Sequence, residues 1–287
     1  MITVAIPTFN RGAILVETLR RLLDFEARII VVDQTPAHPP DVDAQLRRWD
    51  EAGAIRWVRL ERPSIPHAMN EALRLATTEL VLFLDDDIVP APDLVAAHEA
   101  AHGDARVWAV VGQILQPGEE PAHFARPADD LEFHFNHDTA CEITNVMAGN
   151  LSVKRDCALA VAGFDENFVG AAYRFETDFA LRVVAAGGII RFEPRASLRH
   201  LRLSSGGLRS FGDHRTTISP LHAVGDYYFA LHHRPRFWSY AAQRLRRNVL
   251  TRFLAAHPWY IPTKFMGEMR ALLLARRLAR QGRKLLR

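Results

Sequence analysis

The chain has 287 residues, 48% hydrophobic and 24% charged, which allows a sizeable core and excludes a disordered polymer. Its net charge of +3 hides an asymmetry: 14 Lys and Arg but one acid, Glu268, lie from Tyr227 onward, so residues 1–226 carry about −10 and the rest about +13. The two cysteines, Cys141 and Cys157, lack CxxC spacing, which argues against a disulfide framework and for a reducing compartment.

The opening MITVAIPTFNR has neither the basic start nor the long apolar stretch of a signal peptide, and no apolar run approaches the roughly 18 residues of a membrane span. A cytoplasmic protein is expected, free or peripheral on the inner face of the membrane. Strands are predicted at Ile2–Ile6, Arg28–Val32, Ile55–Leu60 and Leu80–Leu84. Helices are predicted at Ala13–Phe25, Val42–Ala52 and Pro66–Ala76 between them. This alternation predicts a mostly parallel sheet with helices on both faces. Right-handed crossovers gather the strand-to-helix loops on one edge, where such sheets bind ligands. That edge collects Pro7, Thr8, Asn10 and Arg11, then Asp33, then the triplet Asp85, Asp86 and Asp87. No GxGxxG or GxxxxGK[ST] is present, so a dinucleotide-binding or P-loop site is not expected.

The triplet follows the apolar run Leu80–Leu84, which reads as a strand buried on both faces. Adjacent carboxylates suit a hard divalent cation, Mg²⁺ or Mn²⁺; the plain alternative is a turn capping a helix over Asp93–His102. Further on, Trp108–Leu115 predicts a strand and Gln116–Asp138 a long irregular loop over the site. A strand is expected over Asn145–Lys154, and helices over Arg155–Ala162 and Phe175–Ala186. Strands at Ile189–Phe192 and Ala196–His200 follow.

IPTFNR, the Asp of VVDQT, LFLDDDIVP, NVMAGNLSVKRD, AGFDENF, ETDFALRVVAAGG and RHLRLSSGG occur in the order seen in family 2 nucleotide-sugar glycosyltransferases. The chain resembles these inverting, GT-A-fold (Rossmann-like) enzymes over residues 2 to 210. The resemblance implies metal-assisted transfer from a nucleoside-diphosphate sugar (UDP-, GDP- or dTDP-sugar) to a saccharide or lipid-linked acceptor, in cell-surface glycan or glycolipid synthesis. It implies that Pro7, Thr8, Asn10, Arg11 and Asp33 contact the nucleoside and that Asn70 lies near the ribose and diphosphate. Asp85 and Asp87 match a DxD metal motif with Asp86 between them, and His200 matches a histidine that reaches the metal or diphosphate. Gly149 and Asn150 fall where sugar and acceptor meet. Glu176 matches the catalytic base, with Asp178 as the alternative. Two departures are Gln34, where a second acid is frequent, and His67 and Met69, where basic residues are common.

The chemistry fits these types. A divalent cation stabilises charge on a departing diphosphate, and one carboxylate opposite the leaving group takes the acceptor's proton. Glu176 and Asp178 are two apart on a helix and point in different directions, so one faces the cleft and the other serves the helix start or a base such as Arg182. Asp165 reads as a turn former.

Residues 1–226 are therefore expected to form the catalytic domain and 227–287 a basic helical extension. Helices are expected over Tyr240–His257 and Met266–Leu286, with Trp238, Trp259 and Tyr260 as interfacial aromatics and arginines up to Arg287 at helical spacing. This suits an anionic membrane surface or, alternatively, packing over the acidic body. No nucleic-acid recognition motif accompanies the charge, so no nucleic-acid partner is expected. Two other functions stay open: a non-catalytic nucleotide-sugar binder docked on a membrane assembly, and a haloacid-dehalogenase-type phosphohydrolase, whose DxDx[TV] pattern fits Asp85 to Val89 but normally ends the first strand.

Overall fold

The computed structural model describes residues 1–129, 132–202, 206–207 and 213–286; Leu203, Ser204 and Ser205 of RHLRLSSGG and the terminal Arg287 lie outside them. The first half follows the alternation closely: β1 (Ile2–Thr8), α1 (Ala13–Leu22), β2 (Ala27–Asp33), α2 (Pro40–Glu51), β3 (Arg56–Arg59), α3 (Ile65–Leu75) and β4 (Leu80–Leu84). β1 pairs in parallel with β2 on one side and β4 on the other, and β2 with β3. Local chemistry sets the helix starts. Pro40 opens α2 with φ preset and no N–H to satisfy, and the Ser64 hydroxyl accepts from His67 N at the start of α3.

Side chains of β4 alternate between two cores. Val81 and Phe83 face one core with α3 residues such as Met69 and Leu73, while Leu80, Leu82 and Leu84 face the other with Leu15 and Leu19 of α1. An all-apolar strand results, because neither face meets water.

The second half is mixed. It comprises β5 (Ile88–Pro90), α4 (Leu94–Ala101), β6 (Val107–Leu115), β7 (Ala128–Asp129), β8 (Glu132–Phe133), β9 (Cys141–Ile143), β10 (Asn150–Lys154), α5 (Arg155–Ala160), α6 (Phe175–Ala185) and β11 (Ile189–His200). The sheet runs β3-β2-β1-β4-β10-β6-β11-β5, with β9 also on β11. β10 is antiparallel to both β4 and β6. The expected Asn145–Lys154 strand begins only at Asn150, because residues 147–149 turn beside the triplet. The two strands expected after Ile189 are one strand, β11, whose pairing with β6 shifts register between Glu193 and Leu198. The helix-capping reading of the triplet fails. Asp85 to Asp87 lead into β5, and Asp93, which precedes α4, makes no side-chain cap bond.

Four helices complete the chain: α7 (Val224–His233), α8 (Phe237–Val249), α9 (Arg252–Ala256) and α10 (Ile261–Arg280). The 226/227 boundary falls inside α7, whose Tyr227, Tyr228 and Phe229 are buried in the main core. The expected Tyr240–His257 helix is divided after Val249, and the Thr251 hydroxyl caps the next turn at Leu254 N. Basic tail residues sit on buried acids of the body and of α10. Arg244 pairs with Asp226 and Glu268, Lys264 with Glu268, and Arg283 with Asp178.

Candidate active site

The strand order reverses between β1 and β4, the switch point at which open α/β sheets hold ligands. There the first loop and the triplet lock together. Thr8 Oγ1 donates to Asp86 Oδ2 at 2.6 Å, Thr18 Oγ1 of α1 donates to the Asp86 carbonyl at 2.9 Å, and Arg11 Nε lies 3.0 Å from Asp86 Oδ1. Asp86 is buried and acts as the strut of the edge. Burial pushes its carboxyl up to about 7, against the pull of Arg11 and Thr8.

Asp85 and Asp87 approach His200, and Arg11, which pairs with Asp86, also reaches Asp87 Oδ2 with Nη2 at 3.3 Å. His200 Nε2 is 3.0 Å from Asp87 Oδ1 and 3.7 Å from Asp85 Oδ2. Pairing of β11 with β5 puts His200 opposite Ile88, and Leu201 N donates to the Asp87 carbonyl. One ligand atom from each of Asp85, Asp87 and His200 lies within 4.8 Å of the others. The Asp85 side chain is half exposed whereas that of Asp87 is 1% exposed, giving one arm in the cleft and one in the wall. The Asp87 hydrogen bond raises the His200 pKa, opposed by burial. His200 Nδ1 donates to Gln116 Oε1 at 3.2 Å, which orients the ring and leaves Nε2 toward the acids. Gln116 carries no sequence signal beyond its position after β6.

These residues fit a hard divalent cation. Two carboxylates and an imidazole supply the donor types that Mn²⁺ or Mg²⁺ accepts while leaving coordination positions for other oxygens. Positive charge there also favours the ionised triplet.

Gly149 borders the same place. A Cβ on it would lie 2.3 Å from Asp85 Oδ2, and Asp85 N donates to its carbonyl at 3.3 Å. The preceding residue links this turn to α6: Ala148 N donates to Glu176 Oε1 at 2.9 Å. Glu176, half-buried, is thus one residue along the turn from the glycine that touches Asp85. Asp178 is elsewhere. It is fully buried and accepts from Arg182 Nε (2.9 Å), His233 Nε2 (2.6 Å) and Arg283 Nη1 (2.8 Å). Burial alone would raise its pKa, but the His233 hydrogen bond and the charges of Arg182 and Arg283 outweigh this and hold it at about 2. Asp178 is an ion-pair hub, the role the sequence left for whichever acid did not face the cleft.

Asn70 is fully buried, with Nδ2 donating to the Phe164 carbonyl and Oδ1 accepting from Phe164 N, both at 2.8 Å. It pins the GFDENF turn. Asn150 is likewise buried. Its Oδ1 accepts from His98 Nε2 and its Nδ2 donates to the Gln113 and Ala196 carbonyls, which ties the sheet at the residue after Gly149. Asp33 ends β2 at the expected edge, but its carboxylate is buried under His38 (2.5 Å) and Trp57 Nε1 (2.9 Å). Pro7 is half-buried, and Asn10 is exposed at φ 56°, its N–H on Thr35 Oγ1. Gly207 N returns to the Phe9 carbonyl at 2.8 Å. Asp165 forms a turn, accepting from Asn167 N, and also holds the Tyr228 hydroxyl. His67 and Gln34, the two departures, contact Glu166 and Ser64 N respectively.

The chain is 27% identical over 229 residues to a pre-mycofactocin glycosyltransferase of Mycobacterium tuberculosis, an alignment covering 76% of this chain and 43% of that protein. It is 32% identical over 133 residues to the galactofuranosyltransferase GlfT2 of Mycolicibacterium smegmatis, covering 42% and 21%. It therefore spans less than half the length of these curated relatives. Among solved structures, a mannosyltransferase from Pyrobaculum calidifontis in complex with GDP-Man and Mn²⁺ superposes with a TM-score of 0.57 at 21% identity, over 98% of this chain and 79% of that one. The S. aureus TarS fragment in complex with UDP-GlcNAc gives 0.60 at 16% identity, over 98% and 92%. These likenesses show a shared fold. Residues 3–158, more than half of the chain, match the family profile described as glycosyl transferase family 2, and the protein belongs to that family.

Proposed function

We propose that the protein transfers a sugar from a nucleoside-diphosphate sugar to an acceptor hydroxyl with inversion, using Glu176 as the base. The observation that carries this is the contact of the Glu176 carboxylate with the 148–149 turn, whose glycine abuts Asp85. A proton acceptor and a cation-type donor set thereby face one cleft from different elements. Asp85, Asp87 and His200 would hold Mn²⁺ or Mg²⁺, which supplies Lewis-acid stabilisation of the departing diphosphate. Asp86, tied by Thr8 and Arg11, fixes the triplet's backbone. The acceptor oxygen bonds to the anomeric carbon as the bond to the diphosphate oxygen breaks, and its proton passes to Glu176. Asp178 does not compete for that proton: the His233 hydrogen bond and the charges of Arg182 and Arg283 keep it ionised.

The phosphohydrolase reading lacks support, because the triplet ends β4 and its strand order is not that of a first-strand nucleophile. UDP-, GDP- and dTDP-sugars are all candidate donors, and saccharide or lipid-linked hydroxyls candidate acceptors. No described helix is long and apolar enough to cross a membrane. Part of the tail packs on the body through Arg244 on Asp226 and Arg283 on Asp178, whereas Trp238, Trp259 and Leu273 are more than half exposed. We assign this outer face to the cytoplasmic side of an anionic membrane; absence of flotation with anionic liposomes at low salt would remove that assignment. The function itself is tested with Glu176→Gln, which should keep donor binding and lose transfer.

A further inference from the structure

Among the described residues a second group of metal-type donors lies in the 116–138 excursion: His123, His137 and Asp138. It shares no residue with the Asp85, Asp87 and His200 group. We propose that these three side chains form a site for a borderline transition cation of the Zn²⁺ class, and that its occupancy clamps the two limbs of this excursion beside the catalytic cleft.

The geometry is near what such an ion requires. Zn–N and Zn–O bonds of about 2.0–2.1 Å put neighbouring ligand atoms roughly 3.4 Å apart in a tetrahedron. Asp138 Oδ1 lies 3.1 Å from His123 Nδ1 and 3.9 Å from His137 Nδ1, and one ligand atom from each residue falls within 4.8 Å of the other two. Metal binding replaces the present contacts of these atoms: the Phe124 N–H bond to His137 Nδ1 (3.3 Å) and the His123 Nδ1–H bond to Asp138 Oδ1 give way as both nitrogens turn lone pairs to the ion and His123 releases its Nδ1 proton. Two imidazoles and one carboxylate select Zn²⁺ and its neighbours over Mg²⁺, which prefers oxygen ligands. Three protein ligands leave a fourth position for water, and exposure of His123 gives the ion a path in.

The placement gives the site a consequence. His123 is on the outgoing limb, and His137 and Asp138 are on the returning one. The limbs already meet through the β7–β8 pairing, Ala122 N to the Asn136 carbonyl, Asp138 N to the Ala122 carbonyl and Asn136 Nδ2 to the Glu120 carbonyl, and the cation adds a side-chain link to these. His137 is buried and its carbonyl accepts from Gln113 Nε2 of β6, so one ligand is anchored to the central sheet. The outgoing limb begins with Gln116, which orients His200, and Glu120, which pairs with Arg199. A cation joining the limbs therefore stiffens the segment that supports His200.

Chelated protein is titrated with Co²⁺ in saturating Mg²⁺, following visible absorption, and Zn²⁺ competition is read by displacement. One equivalent with a tetrahedral-type spectrum is expected in wild type and in Asp87→Asn, and at least a tenfold weaker association in His123→Ala, whose exposed side chain makes misfolding no explanation. Zn²⁺ should also slow amide exchange within residues 116–138. Absence of stoichiometric Co²⁺, or binding kept in His123→Ala but lost in Asp87→Asn, overturns the site. Binding without slowed exchange overturns the clamp. No readout requires a sugar donor, so this result is independent of the proposed transfer.

Discussion

Replacing Asp178 with Asn separates the two acids of α6. The substitution keeps shape but removes the charge that Arg182, His233 and Arg283 surround in a fully buried position. Breaking a buried ion pair by removing one partner costs about 3–5 kcal/mol, because the other charges remain desolvated. The displacement of the Asp178 pKa from 3.8 to about 2 gives an independent figure of roughly 2 kcal/mol for preference of the ionised state. Taking about 3 kcal/mol and roughly 2–4 °C per kcal/mol for a chain of this class, the midpoint of thermal unfolding should fall by about 6–12 °C. The sign with pH follows from a depressed folded pKa. The contribution is complete above pH 3.8 and is lost as pH falls to about 2. Asp178→Asn should thus narrow its deficit against wild type in that window. Differential scanning fluorimetry from pH 7 down to 2.5 reads both effects. An unchanged midpoint in Asp178→Asn together with loss of all transfer would refute the reasoning and make Asp178 the base.

Gly149→Ala should weaken metal-dependent donor binding at least tenfold by calorimetry, since the new methyl collides with the Asp85 carboxylate. Gln116→Ala should lower Mn²⁺ affinity on the order of 10–100-fold, because His200 loses the acceptor that orients it. Mn²⁺ affinity should also fall on acidification, beginning above pH 6.5, because a proton competes for His200 and Asp87 raises that residue's pKa; a flat profile between pH 8 and 6 would contradict the assignment of His200. Asn70→Ala should cost about 1–3 kcal/mol in urea unfolding, leaving Phe164 backbone groups unpaired, without changing donor affinity in the folded fraction.

The alternation of apolar runs and helical periods was enough to place β1 to β4 within a residue or two, because each of those elements buries a face that its own pattern declares. The convergence of Thr8 and the triplet was legible for the same reason: parallel crossovers fix where the strand ends lie. Roles that depend on long-range partners were not legible. Asn70 and Asn150 look like ligand contacts in a motif, yet their amides are saturated by Phe164, His98, Gln113 and Ala196, partners 37 to 94 positions away in contacts that no local pattern encodes. Arg283 is a similar case. Its spacing left open a membrane-facing basic stripe or packing over the acidic body; Arg283 takes the second course, because the chain after α10 turns back so that Lys284 N meets Asp165 and Leu286 N meets the Ala162 carbonyl. The ion-pair role of Asp178 was likewise hidden, because His233 and Arg283 arrive from elements far along the chain.

The central claim is tested most directly by the release of nucleoside diphosphate from a panel of nucleotide sugars, with Mn²⁺ and with EDTA, for wild type and Glu176→Gln. At least one donor should be turned over only with metal. Glu176→Gln should lower the rate on the order of 10²–10⁴-fold while donor binding by calorimetry is retained. Turnover in EDTA at the Mn²⁺ rate, or near-normal transfer by the Glu176→Gln variant, would contradict it.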